Sequence, residues 1–362
     1  MTVLEDATEH QARARVALSA ALAAEPSHAY LFRGPRGSGK RAAARAFAAE
    51  VIAAAAADPD DARRRVLLDP SPHPDLVWLA PRGAQHMVEE VRERVIRAAA
   101  YRPFEGGKRV FVVEGAEALR DESQNALLKT LEEPPAFAHL ILLSADPEAL
   151  LETVASRCQP VDFAALPAEV LERELGEGEE VAAAAHLAAG DLERGRLLLS
   201  DEGRTLRADA ERCVAAAIEG KTAEAPWQGL LARAQEAGSE VEAATREALE
   251  EEAKAGVKRG AKDITDAAKR AGRRRRTEIL ELGFELCAIW LRDLAAVGVG
   301  AEEVAYNRDR LERLRGQAAT VKPESARRGA QLVEEARRGL ELNVSEELAL
   351  EALFFRLESL LS

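Results

Sequence analysis

Gly34-Pro35-Arg36-Gly37-Ser38-Gly39-Lys40-Arg41 is the stretch whose reading decides the fold. Gly34, Gly39 and Lys40 fit the pattern G-x-x-x-x-G-K-[ST] of a phosphate-binding loop. Arg41 stands where the pattern has Ser or Thr, whose hydroxyl ligates the magnesium ion of a bound nucleotide. A guanidinium has donors and no acceptor, so Arg41 cannot take that part. Tyr30-Leu31-Phe32 before the loop reads as a short apolar strand. Residues 39–57 after it read as an Ala-rich helix. Strand, loop and helix in that order are the context a true phosphate loop needs. The backbone N–H groups around Gly37 and Gly39 and the helix N-terminus then form an anion cradle, with Lys40 reaching the terminal phosphates. The plainer alternative is a glycine turn with no ligand.

Outward from the loop, short apolar runs alternate with helical patterns. Leu76–Leu79, Arg109–Val113, His139–Leu143 and Pro160–Phe163 read as further strands, the second of these four following Gly106-Gly107. Val88, Val91, Val95 and Ile96 stripe a helix over 87–100, and a helix over 121–132 stops at Pro134-Pro135. Ala12, Val16, Ala17, Ala20 and Ala24 are expected on one face of an early helix, and the polar segment 58–74 is expected to be a loop. Continuous apolar strands separated by helices predict an α/β fold whose parallel sheet is covered on both faces.

Strand signals stop after residue 164. Gly176, Gly178 and Gly190 punctuate two or three short helices over 167–200, and the remainder is helical. Residues 239–282 are heavily charged and predict a long exposed helix or helical linker, with breaks at Gly256, Gly260 and Gly272. Residues 278–297 and 345–361 are amphipathic. The domains expected are 1–164, an α/β module; 165–205, a small helical lid; and 206–362, an all-helical domain.

With 362 residues, 47% apolar and 31% charged, the chain fits a globular class. A net charge of −13 excludes a protein built as a whole to coat nucleic acid. Cys158, Cys213 and Cys287 are far apart and form no C-x-x-C, so neither a thiolate zinc site nor a disulfide framework is expected. No apolar run reaches the roughly 20 residues of a membrane span, and residues 1–10 have no signal-peptide pattern, so a cytoplasmic location is expected. The run Lys269–Arg276 holds four consecutive arginines. It has no interleaved aromatic residue to stack on bases, which favours a solvated helix face pairing with Glu247–Glu252 over a DNA contact.

In hydrolases with this loop, the third strand ends in Asp-Glu, which orient the metal and the attacking water. Here it ends Val112-Val113-Glu114-Gly115. Glu114 keeps a carboxylate at the metal-orienting position. Gly115 has no side chain and cannot serve as a base, and Glu117 lies beyond the strand. Two catalytic elements are therefore missing, at 41 and at 115. Leu127-Leu128-Lys129-Thr130-Leu131-Glu132-Glu133-Pro134-Pro135, followed by an apolar strand and then Ser156-Arg157-Cys158, resembles the AAA+ clamp-loader family of bacterial DNA polymerase III and its eukaryotic relatives. His73-Pro74-Asp75 and Leu342-Asn343-Val344 with Glu347–Glu351 resemble the same family. The resemblance implies a RecA-like AAA+ module, a helical lid and a helical collar for oligomerisation.

It also implies that Arg157 acts in trans, reaching the terminal phosphate of ATP held by a neighbouring subunit. Cys158 reads as a buried small apolar residue. No cofactor is required on this reading. The loop (Gly34, Gly37, Gly39, Lys40, Arg41) with Glu114 would be a degenerate site with weak ATP or ADP binding or none. The family's zinc cysteines are absent between residues 53 and 75. Ser144 or Ala145 occupies the sensor position, and Gly190-Asp191-Leu192-Glu193 places Arg194 one residue late for the lid arginine. The function implied is that of a non-catalytic stator. It would stand beside gamma/tau and delta subunits in a complex that loads a sliding clamp onto primed DNA. The rival readings are an ATP-hydrolysing gamma/tau-like motor subunit, opposed by residues 41 and 115, and an unrelated phosphate-loop kinase or regulatory NTPase.

Overall fold

A computed structural model describes residues 2–68, 71–81, 85–105, 107–254, 260–339 and 345–361. Gly106, Gly256 and Leu342–Val344 lie outside the described residues. The chain divides into two compact units, Met1–Pro167 and Ala168–Ser362.

The first unit is built on five parallel strands: β1 (Ala29–Arg33), β2 (Leu76–Leu79), β3 (Arg109–Glu114), β4 (Ala138–Ser144) and β5 (Gln159–Asp162). Their spatial order is β2-β3-β4-β1-β5. Every strand lies where the apolar runs placed it, because β1, β3 and β4 are buried on both faces and need no polar alternation. Successive side chains serve opposite cores. Tyr30, Phe32, Val110, Val112, Ile141 and Leu143 pack under Phe47, Val51 and Ile52 of the helix Lys40–Ala53. Leu31, Phe111, Val113, Leu140 and Leu142 pack against Val91, Val95, Leu127, Leu131 and Val154. Each large side chain so buried contributes about 1.5–3 kcal/mol.

Two expectations in this unit fail. The segment 58–74 is not all loop: Pro59–Leu67 is an α-helix. Asp58 caps it by accepting from Asp61 N, proline fills its first turn, and Asp60, Asp61 and then Arg64, Arg65 suit the two ends of its dipole. The helix Ala12–Ala23 buries Ala14 and Leu18, and Val16 is 69% exposed. The expected face was the solvent face, since alanines carry too little area to fix orientation against one buried Leu. The expected helix over 87–100 does form, as an α-turn Val88–Val91 running into a π-helical stretch, Arg92–Arg97.

In the second unit three short helices, Ala168–Leu175, Glu179–Leu187 and Leu192–Leu199, precede the long helices. The second and third contribute Ala184, Leu187 and Leu198 to the core formed by Leu206, Cys213, Trp227, Phe284, Trp290, Leu291 and Phe354. The charged segment 239–282 is not an exposed rod. Its described residues belong to two helices, Gln228–Lys254 and Ala261–Gly298, packed antiparallel with Leu230 against Gly283, Gly238 against Gly272, and Leu249 meeting Ile264 and Ala267. Gly272 does not break the helix. A Cβ there would lie 2.7 Å from the Gly238 carbonyl oxygen, so the two backbones touch at this crossing. Gly260 is the residue before the second helix.

Three arginines of the run pair with described residues outside the acidic stretch expected. Arg274 pairs with Glu278 (2.9 Å), Arg275 with Glu202 (3.1 Å), and Arg276 with Glu346 and, at 2.8 Å, with Gln235. The helix Glu346–Leu361 buries Leu350, Leu353, Phe354, Leu357 and Leu361, while Leu348 is 61% exposed. No described helix is long and apolar enough to cross a membrane.

Candidate functional site

The loop after β1 has the conformation its glycines predict. Gly34 must be glycine, because a Cβ would fall 2.1 Å from the Phe163 carbonyl oxygen where β1 and the end of β5 converge. Gly37 and Gly39 take φ of 68° and 86°, and the helix starts at Lys40. The Lys40 ammonium folds back onto the loop, donating to the carbonyls of Gly34 (2.5 Å) and Pro35 (2.6 Å) and to Ser38 Oγ (3.3 Å).

Glu114 ends β3, which β4 separates from β1. Its Oε2 accepts from Trp78 Nε1 at 2.9 Å and lies 3.7 Å from Arg41 Nε. The guanidinium carbon of Arg41 is 5.8 Å from the Trp78 ring centre, and that of Arg45 is 4.6 Å from it. Arg45 is buried and donates to the carbonyls of Val66 (3.3 Å) and Leu68 (2.5 Å). The residues do not fit a magnesium ion. The carboxylate that would orient it is engaged by Trp78 and a cation, and the side chain that would ligate it is that cation. Trp78 and Arg45 belong to this cluster and were missed in the sequence. Arg45 stands at i+4 from Arg41 on one helix face, which is a readable signal. Trp78 is brought to Glu114 only by the pairing of β2 with β3.

Gly115 takes φ 63°, and a Cβ would come 3.2 Å from Pro81 Cγ. A side chain in the base position is thus strained as well as missing. Glu117 lies in a 3₁₀ turn, Ala116–Ala118, and its Oε2 accepts from Ala145 N at 3.3 Å. Ser144, at the end of β4, is buried, and its Oγ has no hydrogen-bond partner among the described residues. In the second unit Asp191 caps the helix Leu192–Leu199 by accepting from Arg194 N, and Arg194 reaches Glu285 Oε2 at 2.8 Å. Glu193 is exposed. Among the described residues no group of His, Cys, Asp or Glu is placed to hold a metal ion.

Arg157 follows the short helix Glu152–Ala155. One guanidinium nitrogen donates to the Thr153 carbonyl (2.8 Å) and another to Glu132 Oε1 (2.6 Å), and the side chain stays 37% exposed. Cys158 beside it is buried, and burial alone pushes its thiol up to about 12. It packs as an apolar residue and offers no thiolate at neutral pH. His73-Pro74-Asp75 has a structural role. Both carboxylate oxygens of buried Asp75 accept backbone N–H groups, from Phe104 (2.7 Å) and Glu105 (2.9 Å), while its own N–H donates to His73 Nδ1 (3.1 Å).

Sheet order and loop together define a RecA-like AAA+ phosphate-loop module in which Arg41 lies against Glu114 and Gly115 stands at the base position. Residues 11–167 match the family model described as DNA polymerase III, delta subunit. The DNA polymerase III subunit delta' of Pseudomonas aeruginosa is 39% identical over 164 residues, covering 42% of this chain and 49% of the relative. That of Escherichia coli is 35% identical over 174 residues, covering 46% and 50%. The subunit tau/gamma of Haemophilus influenzae is 34% identical over 142 residues, covering 38% and 20%. The match spans about half the length of the delta' relatives, and the family model ends where the first unit ends. The match to the family model thus takes in less than half of the chain, and what the chain shows here is similarity to delta' subunits.

Proposed function

We propose that the protein is the delta-prime subunit of a bacterial DNA polymerase III clamp loader. It acts as a stator beside gamma/tau and delta subunits, in a complex that uses ATP to load a sliding clamp onto primed DNA. It turns over no ATP of its own and lends Arg157 to ATP bound by a neighbour. The observation that carries this reading is the contrast between two cations. Arg41, 50% exposed, stands at the metal-ligand position of the loop 3.7 Å from Glu114, whereas Arg157, 37% exposed, stands away from the loop after the helix Glu152–Ala155. An arginine suits that task because its planar fork matches phosphate oxygens and neutralises charge developing on the transferred phosphoryl group.

On this reading neither zinc nor a nucleotide is required. Lys40 is satisfied by the carbonyls of its own loop, and any nucleotide would have to displace it. The test is ATP turnover by the purified chain without partners, with bound nucleotide assayed in the same sample. The proposal expects background turnover, unchanged in Lys40→Ala. Turnover that Lys40→Ala abolishes would instead establish a gamma/tau-like motor.

A further inference from the structure

We propose that Glu132 is the positioning residue for Arg157, fixing the guanidinium in a partly open state before a neighbour's phosphate arrives. This rests on the reading of Arg157 as a residue that acts in trans. Glu132 is the last residue of the helix Asp121–Glu132, and Arg157 lies 25 residues on, after a different helix. The fold alone brings them to 2.6 Å.

A carboxylate at a helix C-terminus faces the negative end of the helix dipole and is unfavourable there without a cation. Glu133 follows immediately, which adds to the negative potential. Arg157 supplies the compensating charge, so the end of this helix forms an acidic socket for one guanidinium. The socket takes one N–H through Glu132 Oε1, and the Thr153 carbonyl takes a second. A guanidinium has five N–H donors, so three are left for an incoming phosphate.

Glu132 and Arg157 are 50% and 37% exposed, and an ion pair so exposed adds little to fold stability. Its effect lies elsewhere. A free arginine side chain carries substantial rotamer entropy, which docking would have to remove. A guanidinium already fixed at two points has lost much of that freedom before assembly.

The test measures DNA-stimulated ATP turnover of the assembled clamp loader containing wild-type, Glu132→Ala, Glu132→Gln or Arg157→Ala chains, with assembly followed by size-exclusion chromatography. The expected result is a kcat about fivefold lower for Glu132→Ala at the site Arg157 serves, from the rotamer freedom regained. KM for ATP and assembly are unchanged. Glu132→Gln keeps the acceptor oxygen and recovers most of the rate, and Arg157→Ala loses more than either. Wild-type turnover in Glu132→Ala, or equal loss in the Ala and Gln variants, overturns the proposal. A faster Glu132→Ala complex also overturns it, making Glu132 a restraint. If Arg157→Ala itself turns over normally, the trans reading fails and the Glu132 proposal fails with it, an outcome distinct from a normal Glu132→Ala beside an impaired Arg157→Ala.

Discussion

Arg41 Nε lies 3.7 Å from Oε2 of Glu114, so the residue in the metal-ligand position is paired with the residue in the metal-orienting position. A fixed guanidinium stands for the divalent cation, and Trp78 completes the arrangement by donating to the same oxygen. Restoring the hydroxyl alone does not restore hydrolysis, because Gly115 still offers no base. Arg41→Ser is therefore expected to leave ATP turnover of the isolated chain at background, measured as phosphate release with magnesium present.

Gly115 is held at φ 63° with Pro81 against it. Gly115→Ala is expected to destabilise the first unit by about 1–2 kcal/mol, the cost of an L-residue in the left-handed region. Urea unfolding of the full chain reads this directly. A midpoint equal to wild type would show that the turn relaxes.

Asp75 carries the backbone of residues 104 and 105 on its two carboxylate oxygens. Asp75→Ala leaves two N–H groups without their acceptor and should cost about 1–3 kcal/mol. Amide exchange at Phe104 and Glu105 should accelerate more than at the β3 amides.

Much of this was readable in the sequence. The strands β1, β3 and β4 were legible because a strand buried on both faces writes itself as an unbroken apolar run. Arg41 and Gly115 were legible at the hydroxyl and base positions because the phosphate loop and the end of β3 are local motifs. The helix Pro59–Leu67 was misread because its start signals, Asp58 and Pro59, also occur in loops. Trp78 at Glu114 and Glu132 at Arg157 depend on tertiary pairing, which no local pattern records. Leu18 outweighed five small residues in orienting its helix, a matter of area that spacing alone does not weigh.

His139 gives a pH dependence. Its Nδ1 faces the Ser27 carbonyl at 2.9 Å, so that nitrogen bears the proton, and Nε2 is buried with no partner among the described residues. Burial holds the imidazole below its ordinary value of 6.5, with Lys108 and His28 adding to the effect. The unfolded chain then binds the proton more readily than the folded one. The stability this contributes is complete above pH 6.5 and is lost as pH falls from there towards the lowered folded value. Urea midpoints at pH 8, 6.5 and 5.5 should fall for wild type and fall less for His139→Gln.

Phe354 is stacked on Trp227 with ring centres 6.0 Å apart and is buried in the second unit's core. Phe354→Ala should cost about 3–5 kcal/mol. Removing residues 345–362 takes away Leu350, Leu353, Leu357 and Leu361 as well, so it should unfold this unit, seen as lost helical circular dichroism, rather than merely uncover an interface.

The central claim is that the chain has lost the means to fire its own site and keeps an arginine for another's. DNA-stimulated ATP turnover by the assembled complex, with wild-type or Arg157→Ala chain, tests it most directly. The account predicts that Arg157→Ala silences the site it faces, by a factor on the order of 10³ or more there, with assembly on a sizing column intact. Turnover equal to wild type in a fully assembled Arg157→Ala complex would contradict it.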